Sequence, residues 1–148
     1  MAFAVGIDTG MNVAAFRSWA EARPDDERWE LLDGEPVMMA PPSARHQRIV
    51  ANLIRRLDEL AERRGGNALP GLGVLNAAMD DFAPIPDVVV TCGPLGPDGY
   101  TRDPVLLAEV LSPSTQNTDL GAKTVFYRTV PGLRMFLMVH QDRPPVEV

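Results

Sequence analysis

The amino-acid sequence predicts an α/β (α+β) fold: a mixed β-sheet flanked by helices, with an N-terminal helix and a β-hairpin. Three patterns carry this prediction. Asp33-Gly34 separates two short alternating runs, which is typical of a tight hairpin. Apolar residues recur at helical spacing from Ile49 to Leu60. Val105 to Leu111 is an almost unbroken apolar run, as expected of a central strand that is buried on both faces.

The first part of the chain is predicted to hold one helix. Asn12 can cap a helix that runs to about Arg23, where Pro24 stops it. Residues 1–7 are apolar, but they are too short for a membrane span and lack the basic start of a secretory signal. Cys92 is the single cysteine, which excludes an internal disulfide. We therefore expect a cytoplasmic protein without a membrane partner.

The hairpin prediction also fixes a register. With a two-residue turn, Leu32 opposes Glu35 and Glu30 opposes Val37. Glu30 and Glu35 then project from one face of the hairpin. Pro36 lies on the opposite face, at an edge position, because proline cannot donate to a ladder.

A second helix is predicted after the break at Pro41-Pro42-Ser43, and Gly65-Gly66 ends it. Its apolar stripe comprises Ile49, Leu53, Leu57 and Leu60. The segment from Ser43 to Gly66 is net positive, whereas the whole chain has a net charge of -6, which disfavours tight nonspecific binding of nucleic acid. Six arginines give the segment its charge: Arg45, Arg48, Arg55, Arg56, Arg63 and Arg64. They fit either a solvated face with charge pairs at helical spacing or a track for phosphates.

The remaining residues are predicted to complete the sheet within one domain that spans residues 1–148. The predicted elements are strands at 72–82, Ile85–Thr91 and Val105–Leu111, a helix from about Thr118 to Thr129, and a last strand at Leu133–His140. Residues 93–104 read as a loop rich in glycine and proline, and Ser112–Thr115 as a turn.

Two acids lie in strands whose other residues belong in a core. They are Asp87, in Pro86-Asp87-Val88-Val89-Val90, and Glu109, in Leu107-Ala108-Glu109-Val110-Leu111. Burying an unpaired carboxylate is costly, so each acid should be paired, protonated or bound to a cation. Acids on neighbouring strands can share one Mg²⁺, with a backbone carbonyl and waters completing an octahedron.

Lys123 is the only lysine among 14 lysine and arginine residues. It lies early in the helix after the Glu109 strand, and Tyr127 would share its face one turn later. A lysine beside a metal site can orient a water or stabilise charge on a phosphate. The alternative is purely structural: Glu109 and Lys123 form a buried ion pair, and Asp87 caps a turn before its strand.

Five motifs resemble, in this order, a large bacterial branch of the PD-(D/E)XK nuclease superfamily, the Uma-type restriction endonuclease-like family. They are Trp29-Glu30-Leu31-Leu32-Asp33-Gly34-Glu35, Ser43-Ala44-Arg45-His46, Pro86-Asp87, Glu109-Val110-Leu111-Ser112-Pro113-Ser114-Thr115 and Gly121-Ala122-Lys123. The resemblance implies a restriction-endonuclease-like fold and a metal-dependent endonuclease that hydrolyses phosphodiester bonds through a Mg-activated water.

The resemblance also implies a site. Asp87, Glu109 and the backbone carbonyl of Val110 would hold Mg²⁺, for which Mn²⁺ is the expected substitute. Lys123 would be the catalytic lysine, and Glu30 the additional acid from the N-terminal part. In the superfamily the lysine normally stands two residues after the strand acid, where this chain has a leucine; the resembling branch takes its lysine from the next helix, as here. The candidates for phosphate or supporting contacts are His46, Tyr127, Arg45 and Arg48.

The implied partners are nucleic acid, DNA rather than RNA, and a second copy of the chain in a homodimer. The resembling proteins usually continue beyond the equivalent of residue 148, and residues 146–148 resemble the start of a further strand. The sequence therefore predicts a domain that lacks the family's C-terminal part. Two other functions remain open: a non-catalytic dimerising or nucleic-acid-binding module with a nuclease-like fold, and hydrolysis of a small phosphate ester.

Overall fold

The computed structural model describes residues 10–112, 119–142 and 148 of the chain. Its helices and strands, in chain order, are α1 (Val13–Glu21), β1 (Trp29–Leu32), β2 (Glu35–Met38), α2 (Ala44–Glu62), β3 (Asn67–Leu69), β4 (Gly73–Val74), β5 (Val88–Thr91), β6 (Tyr100–Thr101), β7 (Pro104–Leu111), α3 (Asp119–Tyr127) and β8 (Met135–His140). The predicted mixture of helices with a mixed sheet is confirmed. The expectations for residues 1–7, for Pro113–Thr115 in the predicted turn and for the strand start at residue 146 lie outside the described residues.

The main sheet has the described strands in the order β3-β5-β7-β8. The apolar strand β7 lies inside it, antiparallel to β5 and parallel to β8, as its sequence predicts. Successive side chains of a strand point to opposite faces of a sheet. Leu107 accordingly packs in a core with Phe126 and Tyr127 from the α3 side, while Val110 packs in a second core with Val50 of α2. The side chain of Glu109 shares the face of Leu107, toward α3.

The hairpin has the predicted register, in which Leu32 pairs with Glu35 and Glu30 with Val37. Asp33 and Gly34 take φ angles of 52° and 78°, the left-handed conformation that a two-residue hairpin turn of this type requires. Glu30 is buried but Glu35 is exposed. The difference arises because β1 packs inward and also bridges to Ala83, which leaves the turn end of β2 in solvent.

Helix α2 crosses the sheet on the face opposite to α3. Ser43 caps it, since its hydroxyl accepts a hydrogen bond from the backbone N–H of His46. Its packed residues include Leu53, Leu57 and Ala61, but not Leu60, which is exposed. The predicted stripe is wrong at this last position because the buried side is centred between Leu57 and Ala61.

The strand predicted at 72–82 is mostly wrong. Only β4 is extended, and it pairs in parallel with β6, inside the segment predicted as a loop. From Asn76 the chain turns instead: the Asn76 side chain accepts from the backbone N–H of Ala78, and its carbonyl accepts from Met79. Asparagine stabilises turns in this way by competing with a strand ladder for backbone groups.

Two further features of the sheet differ from the prediction, namely an additional strand and the start of β5. Strand β3, which pairs with β5, was not predicted, because three residues are too few for a periodic pattern. Strand β5 begins at Val88 rather than Ile85, since Pro84 and Pro86 have no N–H to donate to a ladder. Asp87 therefore lies in a bend immediately before the strand. No helix in the described ranges is both long and apolar enough to cross a membrane.

Candidate active site

Asp87 and Glu109 meet where the pairing of β5 with β7 ends. The last paired residues there are Val88 and Ala108, so Asp87 and Glu109 come next along each strand. The Asp87 carboxylate Oδ2 accepts a hydrogen bond of 2.7 Å from the backbone N–H of Val110. A side chain thus takes the place of the backbone acceptor that β5 would otherwise supply. In a strand the N–H and C=O of one residue point to the same side, so the Val110 carbonyl also points toward Asp87.

Lys123 lies between two buried carboxylates. Its Nζ is 2.7 Å from Glu30 Oε1 and 3.3 Å from Glu109 Oε1. Only 7% of its surface is exposed, against 4% for Glu30. The same Glu30 oxygen accepts a hydrogen bond of 2.8 Å from the backbone N–H of Ile85. Packing of the hairpin against α3 therefore brings together the N-terminal acid and the lysine that the resemblance singled out.

Tyr127 completes the surroundings of Glu109. Its hydroxyl donates a hydrogen bond of 2.8 Å to Glu109 Oε1, one helical turn after Lys123. The sequence placed both residues on one face of the helix, and both indeed contact the same carboxylate oxygen. The buried ion pair between Glu109 and Lys123, which the sequence left open as an alternative, is present. The other part of that alternative differs: the Asp87 carboxylate accepts from the Val110 N–H of β7 rather than from the turn before its own strand.

Burial and crowding of like charges shift the titration of this cluster. Burial raises the pKa of Glu109 to about 7, and the carboxylates of Asp87 and Glu30 add to the rise, while Lys123 and the Tyr127 hydrogen bond oppose it. For Lys123, burial alone would lower the pKa, but the carboxylates of Glu109 and Glu30 outweigh it and raise the pKa. Burial likewise raises the pKa of Tyr127. At neutral pH the lysine is therefore an ammonium and the tyrosine a neutral hydrogen-bond donor.

His46 reaches the site from α2, but the predicted arginines do not. His46 Nε2 is 3.3 Å from Asp87 Oδ1, so the two oxygens of Asp87 are contacted from α2 and from β7. Arg45 instead pairs with Asp142 at 2.9 Å on the exposed surface. Arg48 is exposed, and neither arginine lines the site cavity. Both arginines were predicted to contact the site because they are close to His46 in the sequence. Their positions on the helix instead point their side chains away from the site.

A cavity of about 1100 Å³ opens over this cluster. Its walls include Glu30, Asp87, Glu109 and Lys123, together with His46. Residues that the sequence did not single out also line it, including Arg28, Met38 and Gln47. Arg28 lies next to Gly71, where an added Cβ would be 2.9 Å from the guanidinium. No local pattern marks Arg28, because its position depends on how the hairpin packs against the segment after β3.

The donor set fits a magnesium ion better than a transition metal. No three His, Cys, Asp or Glu side chains in the described part of the chain form a group that could hold an ion. Two carboxylates, of Asp87 and Glu109, with the Val110 carbonyl, match the few protein oxygens that Mg²⁺ takes beside its waters. Asp87 and Glu30 also add to the rise in the Glu109 pKa that burial begins, so a further cation would relieve this part of the repulsion.

Any affinity of this site for magnesium is expected to rise with pH. Because the pKa of Glu109 is about 7, this carboxyl holds a proton over much of the range below neutrality, and Mg²⁺ must displace it. The apparent affinity should increase by up to about tenfold per pH unit below pH 7 and level off above it. Titration calorimetry at several pH values, in two buffers of different ionisation enthalpy, would measure both the affinity and the proton release. Equal affinities at pH 6 and pH 8 would contradict this assignment.

Comparisons with known proteins agree with the geometry. A model of the family described as "Uma2: Putative restriction endonuclease" matches residues 13–148. The chain is 33% identical over 120 residues to the uncharacterized protein sll1609 of Synechocystis sp. (strain ATCC 27184 / PCC 6803 / Kazusa). This alignment covers 78% of the chain and 67% of the relative.

A solved structure shares the fold. It is the crystal structure of "a putative nuclease belonging to DUF820" from Anabaena variabilis ATCC 29413, with a TM-score of 0.71 and 17% sequence identity. The match covers 93% of this chain and 83% of that one. At this identity the likeness establishes the arrangement of helices and strands.

Proposed function

This chain belongs to the Uma2 restriction endonuclease-like family, and from its site we propose that it is a magnesium-dependent endonuclease that hydrolyses phosphodiester bonds of DNA. One observation carries the proposal: the only lysine of the chain lies against two buried carboxylates at the floor of a cavity, with Asp87 beside them. A purely structural ion pair has no need of an adjoining cavity or of a further carboxylate.

Asp87 and Glu109, with the Val110 carbonyl, are the residues that would hold the metal. Magnesium bound there would polarise a phosphoryl oxygen and lower the pKa of a water, with Mn²⁺ as a substitute. Hydrogen bonds from the protein hold both carboxylates in place. Val110 N–H fixes Asp87, and the Tyr127 hydroxyl fixes Glu109. Such fixed ligands need little reorganisation on binding.

Lys123 acts as a cation rather than as a base. Its raised pKa keeps it protonated, so it can donate hydrogen bonds but cannot take a proton from water. In the proposed reaction a water oxygen forms a bond to phosphorus as the bond from phosphorus to the leaving oxygen breaks. The proton of the attacking water passes to solvent, and the leaving oxygen takes up a proton from solvent. The ammonium stabilises the negative charge that develops on the phosphate. Glu30 holds the ammonium in place through its 2.7 Å contact.

Supercoiled plasmid and single-stranded DNA test the proposal directly. The purified protein should nick or cut them with Mg²⁺ or Mn²⁺ and leave them intact with EDTA. We further propose a homodimer, because cutting both strands needs two sites and a twofold arrangement supplies them. Linear plasmid should then appear without accumulation of the nicked form, whereas a monomer would accumulate it. An absence of any cleavage at high metal and protein concentrations would contradict the catalytic proposal.

A further inference from the structure

The outer side of α2 carries a row of exposed arginines. With 3.6 residues per turn, five arginines and one acid fall within an arc of about 100°. They are Arg45, Arg48, Arg55, Arg56 and Arg63, with Glu59 among them. We call this surface the α2 arginine face. The buried side of the helix, which includes Val50 and Leu57, lies roughly opposite.

The charges on this face are not neutralised by the neighbours that the sequence offers. Arg55 and Arg63 each stand four residues from Glu59, a spacing that commonly gives ion pairs on helices. Yet among the described residues, Arg48, Arg55, Arg56 and Arg63 form no ion pair. Arg45 alone has a partner, Asp142, and a pair this exposed contributes little. Of the two interpretations that the sequence left open, the solvated face is present, but among the described residues its charge pairs at helical spacing are not formed.

The face begins in the same turn of α2 as the candidate site, although its side chains point away from the cavity. The first turn of α2 carries His46, which contacts Asp87, and it also carries Arg45. From Arg48 to Arg63 the helix then rises about 22 Å, at 1.5 Å per residue. That length corresponds to roughly six nucleotide steps of one strand in a B-form duplex. A polymer whose scissile phosphate lies at the site could therefore place further phosphates along α2.

We propose that the α2 arginine face binds the sugar-phosphate backbone of the nucleic acid whose phosphodiester enters the site. The identity of the polymer rests on the proposed function; the surface does not depend on cleavage. Arginine suits the role because its guanidinium binds phosphate oxygens in a bidentate manner and stays charged. The face carries no pattern of base-reading side chains, so it positions the backbone and contributes to affinity rather than to sequence choice. It also explains how a chain of net charge -6 can hold a polyanion.

The test measures binding of a fluorescein-labelled oligonucleotide of about 20 nucleotides by fluorescence anisotropy. EDTA is present, so that cleavage does not interfere. The variant Arg55→Gln, Arg56→Gln, Arg63→Gln should bind at least about tenfold more weakly, with a salt slope smaller by about three. A matched variant, Arg102→Gln, Arg128→Gln, Arg134→Gln, removes the same charge from exposed arginines outside α2 and should bind much more like the wild type. Glu59→Gln should bind severalfold more tightly, a gain that misfolding cannot produce.

Two outcomes would overturn the inference: unchanged affinity in the α2 variant, or an equal loss in the matched variant. Hydrolysis of a small activated diester, bis(p-nitrophenyl) phosphate, separates this inference from the proposed function. If the α2 variant loses DNA affinity while the diester is hydrolysed at the wild-type rate, both stand. If DNA binding depends on the face but neither substrate is ever cleaved, the surface stands and the catalytic proposal fails.

Discussion

Replacing Asp87 with asparagine is expected to lower the rate of DNA cleavage on the order of a thousandfold, with little effect on folding. Asparagine keeps an oxygen that can accept the Val110 N–H, so the end of the β5–β7 ladder can survive. It removes one of the two negative charges proposed to hold Mg²⁺, and loss of such preorganised charge costs this much in other active sites. A thousandfold corresponds to about 4 kcal/mol of transition-state stabilisation.

The structure supplies a matched control for this substitution. Asp142→Asn makes the same chemical change at a carboxylate that is exposed and pairs only with Arg45 among the described residues. With DNA at a saturating concentration, its cleavage rate should equal that of the wild type. Rates measured on plasmid DNA, with Mg²⁺ affinity by calorimetry and thermal unfolding of each variant, distinguish loss of metal from loss of fold. If the Asp87 variant cleaves as fast as the control, Asp87 is no metal ligand.

Local chemistry explains which parts of the fold could be predicted from the sequence. The register of the hairpin follows from Asp33-Gly34 alone, and the start of α2 from Ser43, because each is decided by residues adjacent in the chain. Strands β4 and β6 are different. Each has two residues, too few to show a period, and each exists because the other lies beside it. Their pairing is a tertiary contact that no local pattern encodes.

The same distinction between locally encoded features and tertiary contacts applies to the candidate site. The spacing from Glu109 to Lys123 and Tyr127 follows from one strand and the next helix, so the sequence could place these three residues together. The 2.7 Å contact between Glu30 and Lys123 requires the hairpin to pack against α3, which only the resemblance to a family had suggested. The arginines adjacent to His46 show the limit of sequence proximity, because residues one or two positions apart on a helix face different directions.

Replacing Lys123 with methionine is expected to lower the free energy of unfolding by about 3–5 kcal/mol at pH 8, the usual result of removing one partner from a buried ion pair. Methionine preserves much of the side-chain volume, so the cost is electrostatic: Glu30 and Glu109 lose the cation they contact at 2.7 and 3.3 Å. Arg128→Met removes a positive charge from an exposed position just beyond α3 and should cost much less.

The deficit of the Lys123 variant should shrink at acid pH. In the wild type the pKa of Glu109 is raised from 4.5 to about 7, so its ionisation already lowers stability as the pH rises through this window. Without the ammonium the pKa rises further, and the loss extends to higher pH. Urea unfolding at pH 5 and pH 8 should therefore give a larger difference from the wild type at pH 8.

A second substitution identifies the source of this loss of stability. Adding Glu30→Gln to the Lys123→Met variant removes one of the carboxylates that lost its cation, while glutamine keeps an oxygen for the Ile85 N–H. The double variant should recover part of the lost stability, although Glu30→Gln alone destabilises the protein by breaking its pair with Lys123. If the loss of stability in the double variant equals the sum of the losses in the two single variants, the two side chains act independently. If the double variant is instead more stable at pH 8 than the sum of the two single losses predicts, and this difference fades at pH 5, the cost arises from unpaired charge. Lys123 would then be the cation that allows the neighbouring carboxylates to share one site.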